Sequence, residues 1–216
     1  MNLYSILQQL SSGMIATITI FVMTLLISLP LGLVVALGRI SRVKVIQYIV
    51  TLYISIMRGT PLMLQLLVVY FGPYYIFHTK ISSGYQLTAT IIGFSLNYAA
   101  YFGETYRSGI QSIPIGQREA AKVLGYSRFQ TFFKIIFPQM VKRVLPPVTN
   151  EVITLVKDTS LAFVLAYEEM FTIAKQISAA QANVTPLFIA GLFYYIFNLV
   201  VATVMGYIEK RLNYYH

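Results

Sequence analysis

Polar side chains standing alone in apolar sequence are where chemistry is to be sought, and this chain has two sets of them. Asn97 lies in the middle of an apolar run, followed by Tyr101 and, seven positions on, by Glu104. At about 100° per residue, helix positions seven apart differ by only about 20° around the axis, so these three share one polar face. Glu151 and Asp158, also seven apart, mark a second such face in a later apolar run, with Thr154 between them and Lys157 beside Asp158. Amides and carboxylates at such positions can hydrogen-bond a polar solute, hold an ammonium group or relay a cation, and they are expensive unless partnered. The structural readings stand beside these: Asn97 as an interhelical hydrogen bond, Glu151 paired with Lys157 or with a cation of a neighbouring chain, and Lys157 with Asp158 as a structural or gating pair. Glu104 can pair with Arg107 or Ser108.

A third feature is backbone chemistry. Arg58, Gly59, Thr60 and Pro61 interrupt a long apolar run near its middle. Pro61 cannot donate to a helix ladder and disfavours the helical conformation of Thr60, so a broken helix is expected there. Such breaks can present free backbone groups to a cavity; alternatively the proline only kinks a helix whose freed carbonyls find neighbours. Arg58 is costly in hydrocarbon and should face protein or water.

The elements that must carry these groups follow from the apolar runs. The chain is 57% hydrophobic and 11% charged over 216 residues, a membrane composition. Five spans are expected: residues 14 to 37, 46 to 77 with the break near 58 to 61, 87 to 106, 148 to 167 and 187 to 207. The fold class is therefore an all-α integral membrane protein, a single transmembrane domain over residues 1 to 216. Residues 1 to 12 hold no Lys or Arg, so a cleavable leader is not expected at this start. Ser28, Gly32 and Ala36 form a small-residue stripe at spacing four, suited to close helix approach, and Pro30 should bend the first span. Tyr194, Tyr195, Tyr207, Tyr214 and Tyr215 cluster near the ends of the last span or in the tail, as interfacial aromatics do.

Alternation of five spans places twelve of the sixteen Lys and Arg residues on one side, Arg39, Lys122 and Arg143 among them. By the positive-inside bias that side is cytoplasmic, the N-terminus is external and the C-terminus is cytoplasmic. The net charge of +9 then reflects topology and headgroup contact, and nucleic acid is not an expected partner. Between the third and fourth spans lies a polar island. Pro114 marks a helix start, Gly125 a stop, and residues 126 to 136 a second short helix ended by Pro138. Glu119 is placed in the first helical turn, where the dipole favours a carboxylate. Glu168 to Pro186 reads as an external polar connection.

The residues of that island carry a resemblance. Glu119, Ala120 and Ala121, then Gly125 after three residues, then Ile135, Phe137 and Pro138, resemble the EAA loop of permease subunits of binding-protein-dependent ABC importers, departing only in Phe137 for Leu. RGTPL at 58 to 62, SLNYAAYFGETYRSGI at 95 to 110 and LVKDTSL at 155 to 161 are similar to the polar amino acid branch of that family, and the likeness runs through nearly the whole chain. It implies a type I importer fold in the bacterial cytoplasmic membrane, importing a polar L-amino acid of the arginine, lysine or histidine, glutamine or cystine kind. It implies as partners two ABC ATPase subunits, a second permease chain, identical or homologous, and an external amino-acid-binding protein, with lipid around them. ATP and Mg would sit on the ATPase subunits and no cofactor on this chain.

In that frame residues 114 to 138 form a coupling hairpin, with Arg118, Glu119, Ala120, Ala121 and Gly125 as its ATPase-coupling residues. Asn97, Tyr101, Glu151, Thr154 and Asp158 are the candidate substrate residues, Asn97 for the zwitterion and Glu151 for an ammonium. Glu168 and Glu169 are candidate contacts for the binding protein, and Arg58, Gly59 and Pro61 form the broken-helix element. Two other classes were weighed. A stand-alone ion-coupled transporter or channel could use Glu151 and Asp158, but leaves the EAA stretch without a purpose. AAKVLGYSRFQTFFK also resembles a helix-turn-helix, but apolar runs on both sides leave no room for a third helix and core. No G-x4-G-K-[ST] motif occurs, so the chain has no P-loop of its own. With no cysteine, and His78 and His216 lacking partners at ligand spacing, metal and catalytic readings find no support.

Overall fold

A computed structural model describes residues 2–82 and 84–212; Tyr214, Tyr215 and His216 lie outside them. Among the described residues every regular element is helical. In order they are α1 (Leu3–Arg39), α2 (Lys44–Gly59), α3 (Leu62–Phe77), α4 (Tyr85–Gln111), α5 (Ile115–Val123), α6 (Arg128–Thr131), a π turn (Phe132–Ile136), α7 (Phe137–Asp158), a 3-10 segment (Thr159–Leu165), α8 (Met170–Gln181) and α9 (Thr185–Leu212). By length and apolarity α1 and α9 can each cross a membrane, and α2 with α3, bent by 113° at their junction, can count as a third span. The helices α4 and α7 are as long as a crossing requires, but their interior polar groups lower their apolarity below that of α1 and α9.

Close backbone approach builds the bundle. Ser28, Gly32 and Ala36 are all buried, and a Cβ on Gly32 would come within 2.7 Å of Phe102 Cβ. The fit is reciprocal, since a Cβ on Gly103 of α4 would lie 2.5 Å from Val35 Cγ1 of α1. A Cβ on Gly109, further along α4, would meet Val144 Cγ1 of α7 at 2.2 Å. Small residues here replace side-chain volume with direct helix contact. Phe94, Tyr98, Phe102, Leu66 and Leu155 fill the core around this seam.

Four boundaries differ from expectation. Helix α1 starts at Leu3, because Ile6, Leu10 and Gly13 pack against α8 and α9 in a second, smaller core. Pro138 does not end the hairpin's second helix. The π turn widens the ladder just before it, and Pro138 then occupies the second position of α7, where a missing N–H is tolerated. Pro146 and Pro147, expected to precede the fourth span, lie inside α7. That helix gives way after Asp158 to the 3-10 segment, which closes on left-handed Ala166 (φ 53°). The external connection between Glu168 and Pro186 contains α8, whose apolar positions Met170, Ala174 and Ile177 are buried.

Candidate functional site

The break between α2 and α3 is held open by amides. Thr60 is extended (φ −122°, ψ 150°) and Pro61 caps α3, so the carbonyls at the end of α2 have lost their helical donors. Gln65, one turn into α3 and nearly buried, replaces them. Its Nε2 donates to Met57 O at 2.9 Å, Thr60 O at 3.1 Å and Thr60 Oγ1 at 2.9 Å. Asn97, 5% exposed, ties this corner to α4. Its Nδ2 donates to Met57 O at 3.1 Å and to Gln65 Oε1 at 2.9 Å. Tyr53 Oη adds a bond to Leu96 O. Both amide hydrogens of Asn97 are thus committed, and its Oδ1 can only accept. These are the interhelical bonds weighed for Asn97 from the sequence, and they leave a solute only its Oδ1.

Two adjoining cavities lie between this corner and α7. The smaller, about 140 Å³, is lined by Thr60, Leu62, Asn97, Tyr98, Tyr101, Glu151, Thr154 and Asp158. The structure therefore brings Asn97, Tyr101, Glu151, Thr154 and Asp158 to one place. The larger cavity, about 490 Å³, shares Tyr101 and Glu151 with it and adds Arg58, Glu104, Arg107 and Arg143. Arg58 lies over the Tyr101 ring at 5.2 Å from its centroid, a cation–π contact that fixes the guanidinium at the junction of the two. Glu104 binds Arg107, which also reaches Gln111. Arg143 donates to the carbonyl and hydroxyl of Ser112.

Asp158 is engaged differently from the pair expected with Lys157. It accepts from Tyr98 Oη at 2.7 Å, while Lys157 is exposed and makes no ion pair with it. One residue of difference along α7 turns the Lys157 side chain about 100° away, and the aromatic hydroxyl on α4 reaches Asp158 first. Neither is Glu151 paired with Lys157; among the described residues it makes no ion pair or hydrogen bond at all.

The hairpin from Pro114 to Gln130 stands clear of the bundle, and within it only Ala121 is buried. Gly125 takes φ +77°, and around it Gly125 N donates to Lys122 O and Tyr126 N to Ala121 O, closing α5 with a left-handed residue. A Cβ there would meet nothing within 4 Å, so the backbone angle and not space selects glycine. Ser127 and Gln130 form a reciprocal capping box that starts α6. Glu119 and Ala120 are exposed, and Arg118 Nη2 donates to Ile110 O at 3.2 Å, tethering the hairpin to the end of α4. Because α5 begins at Ile115, Glu119 falls in the second turn, which corrects its placement beside the helix dipole. What the sequence reading missed here is the hairpin's exposed apolar side chains: Ile115, Val123, Leu124 and Phe129 are between 71% and 87% exposed.

On the opposite side of the bundle, Glu168 is exposed but Glu169 is 0% exposed. Glu169 caps α8, accepting from Phe171 N, Thr172 N and Thr172 Oγ1 at 2.7 to 2.8 Å and from Tyr194 Oη of α9 at 3.0 Å. It offers no surface to a partner protein, which corrects its assignment as a docking contact. Burial pushes its carboxyl up from 4.5, with those hydrogen bonds pulling the other way.

Gln65 and Tyr98 were both missed at the sequence level. Gln65 carried the same signal as Asn97, a polar amide inside an apolar run. Tyr98 carried none, since its role depends on where Asp158 falls. Among the described residues no three His, Asp or Glu side chains gather into a metal cradle.

Residues 28–214 match the family model described as binding-protein-dependent transport system inner membrane component. The chain is 37% identical over 202 residues to the arginine transport system permease protein ArtQ of Bacillus subtilis (strain 168), covering 93% of this chain and 91% of that one. It is 34% identical over 208 residues to the L-cystine transport system permease protein TcyB of the same organism, covering 95% and 87%. Among solved structures, a chain of an amino acid ABC transporter crystallised with histidines superposes with a TM-score of 0.85 at 29% identity, covering 98% and 99% of the two chains.

Proposed function

The chain belongs to the family of inner membrane components of binding-protein-dependent transport systems, and from that membership we propose that it forms the translocation path for ATP-driven import of a polar L-amino acid. The observation that carries this is the polar cavity between α4 and α7, set beside a broken helix and lined by Tyr101, Glu151, Thr154 and Asp158. A half-buried carboxylate with no hydrogen bond or ion pair among the described residues supplies what an ammonium group lacks after leaving water. Asn97 supports the site through its accepting Oδ1 and through the corner it holds.

In this reading α1, the α2–α3 pair, α4, α7 and α9 are five crossings of the bacterial cytoplasmic membrane, with the N-terminus external and the C-terminus cytoplasmic. The hairpin is then cytoplasmic, and its exposed Ile115, Val123, Leu124 and Phe129 are what a separate ATPase subunit grips. Two such ATPases, holding ATP and Mg, would drive alternating access of a pair of permease chains, while Glu168 and its surroundings receive an external binding protein. The relatives named for arginine and for L-cystine make basic amino acids and cystine the first substrates to try, with glutamine next.

The test is reconstitution of the chain with the ATPase and binding protein encoded beside it in proteoliposomes. Uptake of a polar amino acid that needs ATP and all components is the expected result. Uptake by the chain alone, driven by an ion gradient, would overturn the proposal.

A further inference from the structure

The larger cavity is lined by three arginines and two glutamates, and three of the five are engaged within the chain. Arg107 is taken by Glu104 and Gln111, and Arg143 by Ser112. Two are left. Arg58 makes no hydrogen bond or ion pair among the described residues; its guanidinium lies over the face of Tyr101 and within electrostatic reach of Glu151 and Glu104. Glu151 is likewise without a hydrogen bond or ion pair, and the two are not in ion-pair contact with each other although they line the same wall. One uncommitted guanidinium and one uncommitted carboxylate, separated but facing one space, are the complement of a zwitterion.

The other groups near Arg58 that could offer a carboxylate several donors at once are partly spent. Asn97 has spent both amide hydrogens on Met57 O and Gln65 Oε1. Tyr98 Oη donates to Asp158. Arg58 has five N–H groups on a plane already oriented by Tyr101, a geometry suited to gripping two carboxylate oxygens at once.

We propose that Arg58 is the group that binds the α-carboxylate of the transported amino acid, with Glu151 holding its α-ammonium, so that the Arg58–Tyr101–Glu151 junction between the two cavities reads the amino acid backbone. The inference rests on the import reading above and adds a recognition residue to it. The rule it gives is chemical. The site accepts α-amino acids and rejects the same molecules without their carboxylates, whatever the side chain.

The experiment uses the detergent-purified permease with its ATPase partner, without binding protein, so that selection upstream does not mask the site. Equilibrium binding is measured for L-arginine, L-glutamine and L-cystine, and for their decarboxylated counterparts agmatine, 4-aminobutyramide and cystamine. Wild type binds at least one amino acid and discriminates against its decarboxylated form. Arg58→Gln weakens binding of the amino acid by roughly ten- to a hundredfold, the worth of a charge-assisted contact, while leaving the decarboxylated form unchanged. Arg58→Lys keeps the charge, loses the fork and falls between; it also carries the test should the Gln variant fail to assemble. Equal loss for both members of a pair, or unchanged discrimination in both variants, overturns the role of Arg58 while leaving the import reading standing. A wild-type complex that binds none of the six compounds overturns the Arg58–Glu151 site and leaves the import reading to the uptake assay.

Discussion

At the scale of the residue, Glu151 and Gly125 separate two kinds of requirement. Glu151 matters for its charge: replacement by Gln keeps size and polarity but removes the partner for an ammonium group. The expected outcome is a rise in KM for uptake of about tenfold or more, with assembly and basal ATPase activity unchanged. Unaltered KM in proteoliposomes would take Glu151 out of the site. Gly125 matters for its backbone. With φ at +77° and open space where a Cβ would go, Gly125→Ala strains the hairpin turn by about 1 kcal/mol without disturbing the core. Substrate-stimulated ATPase activity should fall while thermal stability of the purified chain barely moves. Both residues could be picked out from sequence, Glu151 from its seven-residue spacing to Asp158 and Gly125 from its place after a helical stretch. Partners could not be picked out in the same way. Lys157 is Asp158's neighbour in sequence, yet Tyr98 from another helix holds Asp158.

At the scale of the element, two polar connections stand out. Gln65 bridges α2, α3 and, through Asn97, α4. Gln65→Leu strips the side-chain donor from Thr60 O and the acceptor from Asn97, leaving groups unsatisfied at about 1 to 3 kcal/mol each where they are buried. A lowered unfolding midpoint in detergent checks this, and a midpoint equal to wild type would show the break is held by other means. Glu169 joins α8 to α9 through Tyr194. Its carboxyl is raised in the folded chain, so the stability it contributes is complete below the ordinary value of 4.5 and is lost as pH rises through the folded-state pKa. Glu169→Gln, which does not ionise, should flatten the decline in melting temperature as pH rises from 4.5 to the folded-state pKa. The existence of α1, α9 and the broken pair was legible in apolar runs and in Pro61, because those signals are local. The length of α1, the passage of α7 through Pro138 and the presence of α8 were not, since each depends on packing or on a π turn that no local pattern announces.

At the scale of the whole molecule, the charge-lined cavities and the exposed apolar side chains of the hairpin sit on different parts of the protein, and the seam between α1 and α4 is closely packed. Glycines meet facing backbone and side chains there with no slack, which suits a body that moves as a unit. The hairpin is where another protein is expected to hold it. Leu124, 74% exposed on the hairpin, contributes nothing to the core. Leu124→Glu should leave folding intact and reduce co-purification of the ATPase subunit several-fold. Normal recovery of the complex would place the grip elsewhere on the hairpin.

The π turn has a mechanical corollary. Because the hairpin's second arm runs through Phe132–Ile136 into α7 without a loop, the handle and Glu151 belong to one continuous rod, roughly 30 Å apart along its axis. A displacement at the hairpin reaches the carboxylate through a single shaft, with no loop in between. Pro146 and Pro147 lie in that shaft, just before Glu151. They make it compliant at one place, so pushing on the handle would flex the joint beside the carboxylate before it shifted the rest of the bundle.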